Sequence, residues 1–246
     1  MAEVEDLRKR IQELEAEVSR VTLERQGYLQ NLESLVRART EQLQRTMADL
    51  ERSYDTTIQA LGYALGLKES SVQGHSRRVC VFTMAIAQAM GLERAQIAVI
   101  AQGAFLHDLG KLAISDAILS KPGKLVPEEM AVMREHPRRG YEILKTIPYL
   151  AGACEIVYAH HEHYDGSGYP RGLTGEQIPF GARITAVANT FDSITSDLPY
   201  REAAGLSEAR KEIERWSGKQ FDPDVVKVFL GMPDRIWENL RRQSRD

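Results

Sequence analysis

The feature that most constrains this fold is a regular apolar pattern along residues 1–54. The segment contains no proline and one glycine, Gly27, and it is rich in Glu, Arg and Gln. Its apolar side chains recur at alternating steps of three and four, the spacing of a coiled-coil seam, with Arg25 at one core position. The pattern predicts a long helix whose narrow apolar stripe meets a second helix. The seam residues are Leu7, Ile11, Leu14, Val18, Val21, Tyr28, Leu32 and Leu35.

After Leu35 the seam slips by about one residue, which should change the supercoil locally. One alternative is a lone amphipathic helix packed on its own domain, but so narrow a stripe on so long a helix needs a partner to cover it. We therefore expect residues 1–54 to form a dimerising or signalling coiled coil, parallel by default. The resumed seam comprises Leu43, Met47, Leu50, Tyr54 and Leu61.

From residue 55 the composition becomes that of a globular domain. Helix signals include Pro127 followed by two glutamates, Gly91 after an apolar run, and the pair Ser217-Gly218. We find no strong period-two alternation typical of half-buried strands. The sequence predicts an all-α fold, with a helical bundle at 55–246 preceded by the long helix. Helices are expected at 56–67, 74–90, 93–108, 127–135, 137–146, 149–162, 180–197, 207–217 and 222–231.

Charge and composition exclude several classes of protein. A net charge of −3 and a pI near 6.1 argue against a general nucleic-acid-binding protein, which usually carries a basic excess. No apolar run approaches the roughly 18 residues of a membrane span. The N-terminal MAEVEDLRKR lacks a signal-peptide core. Because Cys80 and Cys154 lack CxxC spacing, we interpret them as buried, reduced thiols. We expect a cytoplasmic protein that binds neither DNA nor a membrane.

Histidines are concentrated in one short stretch. HHEHYDGSGYP, residues 160–170, holds three of the six histidines in the chain. His107 precedes Asp108 at the end of the apolar run 97–106, where a buried carboxylate needs a partner such as a metal ion, an arginine or a helix N-terminus. Taken alone, His75 and His136 are more typical of a cap or a structural residue.

Together these side chains form a nitrogen and oxygen donor set without a thiolate. Such a set suits iron, manganese or zinc and does not suit a structural zinc knot. Because one ion takes three or four protein ligands, the candidates are too many for one ion and enough for two. Adjacent helical side chains diverge by about 100°, so His160 and His161 can share a site only near a helix end. His160 and His163 share a face, and spacing alone leaves both pairs open.

Seven stretches of residues 56–231 match a known family in order and spacing. They are GHSRRV, LHDLGKLAI, ILSKPGKL, EHPRRGYEIL, HHEHYDGSGYPRGLTGEQIP, ARITAVANTFDSITSDLPYR and SGKQFDPDVV. With these motifs the chain resembles the HD-GYP domain, a branch of the HD phosphohydrolase superfamily. The resemblance implies an all-helical fold with a two- or three-metal centre. It implies hydrolysis of the bacterial messenger cyclic di-GMP to linear pGpG or GMP, by a hydroxide bridged between two metals. The ions would be iron or manganese, with zinc, nickel or magnesium as alternatives.

Carried over residue by residue, the resemblance divides the candidates into two ligand sets. Asp108 would bridge the two ions and His163 would be left over. Lys111 would contact the scissile phosphate and Tyr169 would shape the substrate pocket. Three-metal members have a glutamate where this chain has Ser71, so two ions are expected. The first set would be His75, His107 and Asp108, and the second His136, His160 and His161.

Two positions depart from the family's usual pattern. Asn189 replaces an aspartate that completes the first metal's ligands, and its amide would offer a neutral oxygen. Leu198 replaces an arginine that binds substrate phosphate, so a planar bidentate donor is lost. Arg201 retains the family's other basic position. The main hypothesis is an active cyclic di-GMP phosphodiesterase, and the alternative is a weakened domain that binds cyclic di-GMP or a partner protein as a signalling module.

The segment LVRARTEQLQR, residues 35–45, resembles the signalling helices that join bacterial sensor or receiver domains to output domains. No sensor domain precedes it in the sequence, so the chain is expected to be either a fragment of a longer protein or a dimer held by the helix itself. The expected partners are a cyclic dinucleotide substrate, a second copy of the chain through the coiled coil, and an upstream sensor or receiver domain.

Overall fold

The computed structural model describes residues 1–68, 74–197 and 202–244. Across these ranges the chain forms α-helices and short 3₁₀ turns with no strand, which confirms the all-α prediction. None of the described helices combines the length and apolar character that a bilayer crossing requires. The helices are α1 (Ala2–Lys68), α2 (His75–Ala89), α3 (Arg94–Leu106), α4 (Asp116–Leu119), α5 (Pro127–Met133), α6 (His136–Leu144), α7 (Ala151–Ala159), α8 (Phe180–Thr195), α9 (Leu206–Arg215), α10 (Pro223–Gly231) and α11 (Asp234–Gln243).

The chain divides into two compact units, residues 1–56 and 57–246. In the first unit the apolar side chains of the predicted seam are exposed to solvent, for example Leu7 at 59%, Val18 at 64% and Leu43 at 61%. Since burial of apolar surface is the main source of stability for a helix in water, this unit has no core of its own.

The observed helices differ from the predicted ones in two instructive places. The predicted helices 93–108 and 149–162 end earlier, at Leu106 and Ala159, so the histidines that follow lie past the regular turns. Helix α11 was not predicted, because its sequence DRIWENLRRQ is polar apart from Ile236, Trp237 and Leu240. Trp237 is fully buried, and Ile236 and Leu240 pack against the same core, so these apolar side chains hold α11 on the domain.

The core of the second unit centres on α8. Phe191 of this helix is fully buried, and its ring centroid lies 5.2 Å from those of Phe82 and Phe229 and 5.1 Å from that of Trp237. Burying each such side chain contributes about 1.5–3 kcal/mol relative to leaving it exposed. The rings join α2, α8, α10 and α11, and this packing sets the position of α2 against α8.

A second set of contacts brings four chain segments together at one end of the bundle. Helix α3 packs against α2 and α7, and α6 packs against α7 and the 3₁₀ turn Leu109–Ala113. Gly110 of this turn lies so close to α6 that an added Cβ would sit 1.9 Å from the His136 carbonyl oxygen. Only glycine permits this approach, which holds the start of α6 beside the end of α3.

Candidate metal centre

Two groups of three side chains meet where these segments converge. Within each group the candidate ligand atoms all lie within 4.8 Å of one another. Each group is built from helix ends, because a helix terminus lets neighbouring side chains point in one direction. The first group, the His75 cluster, is His75, His107 and Asp108, and the second, the His136 cluster, is His136, His160 and His161.

The end of α7 explains how two adjacent histidines join one group. The helix ends at Ala159, His160 is its cap, and His161 follows in a turn. Within a regular helix these side chains would diverge by about 100°. His163 lies outside both groups, and its Nδ1 is 2.9 Å from the Ser167 hydroxyl.

Three of the histidines share one anchor, a hydrogen bond from Nδ1 to the backbone carbonyl three residues earlier. A carbonyl oxygen only accepts hydrogen bonds, so Nδ1 must carry the proton. In the neutral ring this leaves the Nε2 lone pair available to a metal ion. The acceptors are Ala104 for His107 (2.7 Å), Met133 for His136 (2.8 Å) and Val157 for His160 (2.7 Å).

The carboxylate of Asp108 lies between the two clusters. Its Oδ2 is 3.1 Å from His107 Nε2 and 3.7 Å from His75 Nε2. Its Oδ1 is 3.3 Å from His136 Nε2 and 4.0 Å from His160 Nε2. One oxygen therefore faces each cluster. Lys111 donates to Oδ2 at 2.8 Å and brings a positive charge to the edge of the site.

The electrostatic surroundings favour the metal-binding protonation states of His160, His161 and Asp108, whereas they favour the protonated form of His107. Burial, reinforced by neighbouring histidines, holds the pKa values of His160 and His161 well below the ordinary value, so both rings are neutral near pH 7. Burial raises the pKa of Asp108, but His107 and Lys111 outweigh it and bring that pKa well below its ordinary value. Burial lowers the pKa of His107, yet Asp108 and the Ala104 carbonyl raise it overall. A carboxylate and neutral imidazoles are the ligand forms of these groups.

The donor set fits a divalent cation because several lone pairs face one another. His136 Nε2 and His160 Nε2 are 3.2 Å apart, although both rings already use their Nδ1 protons on carbonyls. His107 Nε2 is fully buried and makes no hydrogen bond within the described part of the chain, even though Asp108 Oδ2 is 3.1 Å away. Buried acceptors that face each other are costly unless a cation or a proton lies between them.

Helix α8 contributes to the site in a way that sequence reasoning missed. Asp192 is fully buried and its Oδ2 is 2.7 Å from His75 Nδ1. Asn189 lies half-buried on the same helix, three residues earlier and on the same face as Asp192. Its amide is thus on the side of α8 that meets the His75 cluster. Ser71, Leu198 and Arg201 lie outside the described residues.

The turn formed by Gly168, Tyr169 and Pro170, called the GYP turn, packs against the His136 cluster. The ring of Tyr169 stacks on that of His161, with centroids 4.8 Å apart and planes 16° apart. Burial raises the pKa of Tyr169 to about 12, so its hydroxyl keeps its proton near neutral pH. The exposed guanidinium of Arg134 lies 5.2 Å above the Tyr169 ring. Sequence reasoning missed Arg134, because only the fold brings it beside the turn.

Glu162, a buried acid within the histidine stretch, accepts hydrogen bonds from the segment that follows this turn. Glu162 is 2% exposed, and its two oxygens accept from the backbone N–H groups of Arg171 (2.7 Å) and Leu173 (3.0 Å). Gly168 allows the chain to fold back, since an added Cβ there would lie 2.2 Å from the His163 backbone nitrogen. The role of Glu162 was also missed. The sequence signal for this role was an acidic residue between histidines, because a buried acid needs hydrogen-bond partners.

Comparisons with known proteins identify the family of this chain. The model of the HD domain family matches residues 60–225. A cyclic di-GMP phosphodiesterase of Thermotoga maritima is 36% identical over 222 residues, which are 89% of this chain and 60% of that protein. The cyclic di-GMP phosphodiesterase response regulator RpfG of Xanthomonas campestris is 38% identical over 192 residues, which are 77% of this chain and 51% of that protein.

A solved structure of a cyclic GMP-AMP specific phosphodiesterase from Vibrio cholerae has the same fold, with a TM-score of 0.56. It is 20% identical, and the match covers 75% of this chain and 52% of that one. The chain spans 60% or less of the length of these relatives. The family model covers most of the sequence and includes the residues of both clusters. The chain therefore belongs to the HD domain family, and its resemblance to the HD-GYP branch is confirmed.

Proposed function

We propose that this chain is a metal-dependent phosphodiesterase that hydrolyses cyclic di-GMP to linear pGpG or GMP. The observation that carries the proposal is the position of the Asp108 carboxylate, with one oxygen towards each group of buried imidazoles. The names of two relatives, both called cyclic di-GMP phosphodiesterases, support this choice of substrate.

The two clusters would hold two divalent ions, iron or manganese by preference. His75 and His107 would bind one ion, His136 with His160 and His161 the other, and Asp108 would serve both. Zinc, nickel and magnesium are the alternatives, although an imidazole-rich set favours the transition metals over magnesium. Asn189 would add a neutral oxygen to the first ion. Ions bound there would supply Lewis-acid activation of water and of the phosphate oxygens.

The residues of the chain would orient the substrate and balance its charge. Asp108 stays ionised because Lys111 and the neighbouring histidine hold its pKa low. The ammonium of Lys111, on a side chain that is 21% exposed, would offset charge that develops on the phosphoryl oxygens. Tyr169 would offer a neutral hydroxyl and an aromatic face on one side of the pocket. Arg201 would be a further phosphate contact.

The deciding experiment is turnover by the purified chain. Protein reconstituted with Mn²⁺ or Fe²⁺ should convert cyclic di-GMP to pGpG or GMP, as followed by chromatography. His160→Ala should abolish the reaction, and the matched control His163→Ala should retain it. If the parent chain binds cyclic di-GMP and metal but forms no product, the weakened signalling module is the correct function. Asn189, a neutral residue in place of an acid, is the observation that favours this second candidate.

We infer in addition that residues 1–54 form a dimeric coiled coil. The exposed seam of the first unit supports this, because a second copy offers the same apolar stripe. Leu14→Glu combined with Val18→Glu should yield a monomer in light scattering. Leu23→Glu is the matched control, since Leu23 is exposed but off the seam, and it should leave the dimer intact. A monomeric parent chain would contradict the inference.

In such a dimer the coiled coil would transmit a signal from a sensor or receiver domain to the hydrolase domain. We propose a cytoplasmic location. The free thiols of Cys80 and Cys154 support it, because the cysteines of exported proteins are usually joined in disulfide bonds. Neither a membrane nor DNA is a proposed partner.

A further inference from the structure

His75 differs from the other anchored histidines in the partner of its Nδ1. It is the first residue of α2. Its Nδ1 instead lies 2.7 Å from the carboxylate of Asp192, on α8. Its Nε2 points the other way, 3.7 Å from Asp108 Oδ2. The orientation of this ring is therefore decided by a side chain from another helix.

Asp192 is held rigidly in turn. It is fully buried, and the guanidinium of Arg78 donates to both of its oxygens, from Nε at 2.7 Å and from Nη2 at 3.0 Å. A bidentate pair of this kind fixes the plane of the carboxylate as well as its position. The charge of Arg78 also balances that of Asp192, so the pair can orient a neighbour without leaving an uncompensated charge in the core.

We propose that Asp192 is a positioning residue of the metal centre, which holds the His75 ring so that Nε2 is presented to the ion beside Asp108. The carboxylate accepts hydrogen bonds and does not donate them, so it selects the tautomer with the proton on Nδ1. Carboxylates that bond to the far nitrogen of a metal-binding histidine orient the ring and raise its basicity. This inference rests on the metal centre of the proposed function.

The role is specific to one half of the centre. Among the residues that the structure describes, no hydrogen bond joins α8 to the histidines of the His136 cluster. Two of these histidines are anchored on carbonyls of the preceding turn. Loss of Asp192 should therefore weaken the ion of the His75 cluster and leave the other ion in place. The loss of affinity for the ion of the His75 cluster should be larger in this chain, because Asn189, on the same face of α8, is neutral.

The test is Mn²⁺ binding to the full chain after chelation, by calorimetric titration. Asp192→Asn should weaken one of two ions by roughly ten- to a hundredfold, the range for loss of such a partner, and leave the other unchanged. Imidazole ¹⁵N NMR of the metal-free protein gives a second readout. The parent should show His75 with its proton on Nδ1, and the variant should show a mixture of tautomers.

Asp222→Asn is the matched control. Asp222 is also buried, at 3% exposure, and it pairs with Arg183 at 2.5 Å, but it touches neither cluster. It should lower thermal stability and leave both Mn²⁺ affinities at the parent level. Equal metal loss in the two variants, or none in Asp192→Asn, overturns the proposal.

A second variant covers the case in which Asp192→Asn does not fold. Arg78→Lys keeps the positive charge but loses the bidentate contact with Asp192. It should therefore weaken Mn²⁺ binding at the His75 cluster by a smaller factor, roughly threefold to tenfold. Unchanged affinity there overturns the proposal. A parent that binds two ions without hydrolysing cyclic di-GMP would refute the proposed function while leaving the assignment of Asp192 to be judged on affinity alone.

Discussion

The two halves of the candidate metal centre are built from similar side chains but anchored differently. In the His136 cluster, His136 and His160 bond to carbonyls within four residues of themselves, and His161 stacks on Tyr169 of the adjoining turn. In the His75 cluster, His75 depends on Asp192, which is 117 positions away in the chain. His107 of the same cluster is anchored locally, on the Ala104 carbonyl, so the difference between the halves lies in His75, whose orientation depends on helix packing.

This difference teaches where the site is vulnerable. A ligand anchored within its own turn is oriented as soon as that turn forms. A ligand anchored on another helix is oriented only when the two helices pack, here through the aromatic contacts that join α2 and α8. We expect the His75 cluster to be the weaker binder, and Asn189 adds to this weakness.

The largest effect is expected where the halves meet. Asp108→Asn should remove most of both ions, because one carboxylate serves both clusters and an amide brings no charge. Metal analysis of the purified variant is the measurement. Two tightly bound ions in this variant would show that Asp108 is not shared, and the comparison of the halves would lose its basis.

The next largest effect is the loss of one metal ion, from the His136 cluster alone. His160→Ala should reduce metal content from two ions to about one, since the His75 cluster keeps its own ligands. His163→Ala, a histidine of the same stretch that bonds to Ser167, is the control and should keep both ions. Loss of an ion from the control would mean that the ligand pair is His160 with His163.

A gain of affinity should follow from restoring charge to the weaker half. Asn189→Asp should tighten the ion of the His75 cluster by about 1.5–3 kcal/mol, roughly tenfold or more. Titration with Mn²⁺ measures this, and phosphodiesterase turnover should rise with occupancy. Adding Leu198→Arg should lower KM without changing metal content. If the parent already binds both ions tightly and turns over equally fast, Asn189 is not a weakened ligand.

The smallest effect concerns substrate at the stronger half. Arg134 lies over Tyr169 at the exposed edge of the His136 cluster, where it would contact a phosphate of the proposed cyclic dinucleotide substrate. Arg134→Ala should raise KM by about fivefold, equivalent to about 1 kcal/mol for an exposed charged contact, with metal content unchanged. Arg138→Ala, which removes an exposed arginine paired with Glu135, is the control. An equal rise in KM for both variants would show that Arg134 acts through its charge in general and not through a specific contact with the substrate.

Sequence reasoning anticipated much of the fold because the relevant signals are local. Proline, glycine and acidic residues mark most helix ends, and the absence of period-two patterns excludes a sheet. The miss at α11 has a non-local origin. The helix has a mostly polar sequence, and it is held by Trp237, Ile236 and Leu240, which pack against a core formed by residues far away in the chain, such as Phe82 and Phe191.

The sequence by itself determined the class of fold, the long seam at the N-terminus and the donor set, because residue type and spacing carry that information. Spacing alone left the choice between His161 and His163 open, although the family resemblance favoured His161. The sequence gave no role to Asp192, Glu162 or Arg134. Those roles were decided by tertiary structure, since hydrogen bonds between distant segments depend on how helices pack. The direction in which His75 points is the clearest case, because a carboxylate on α8 decides it.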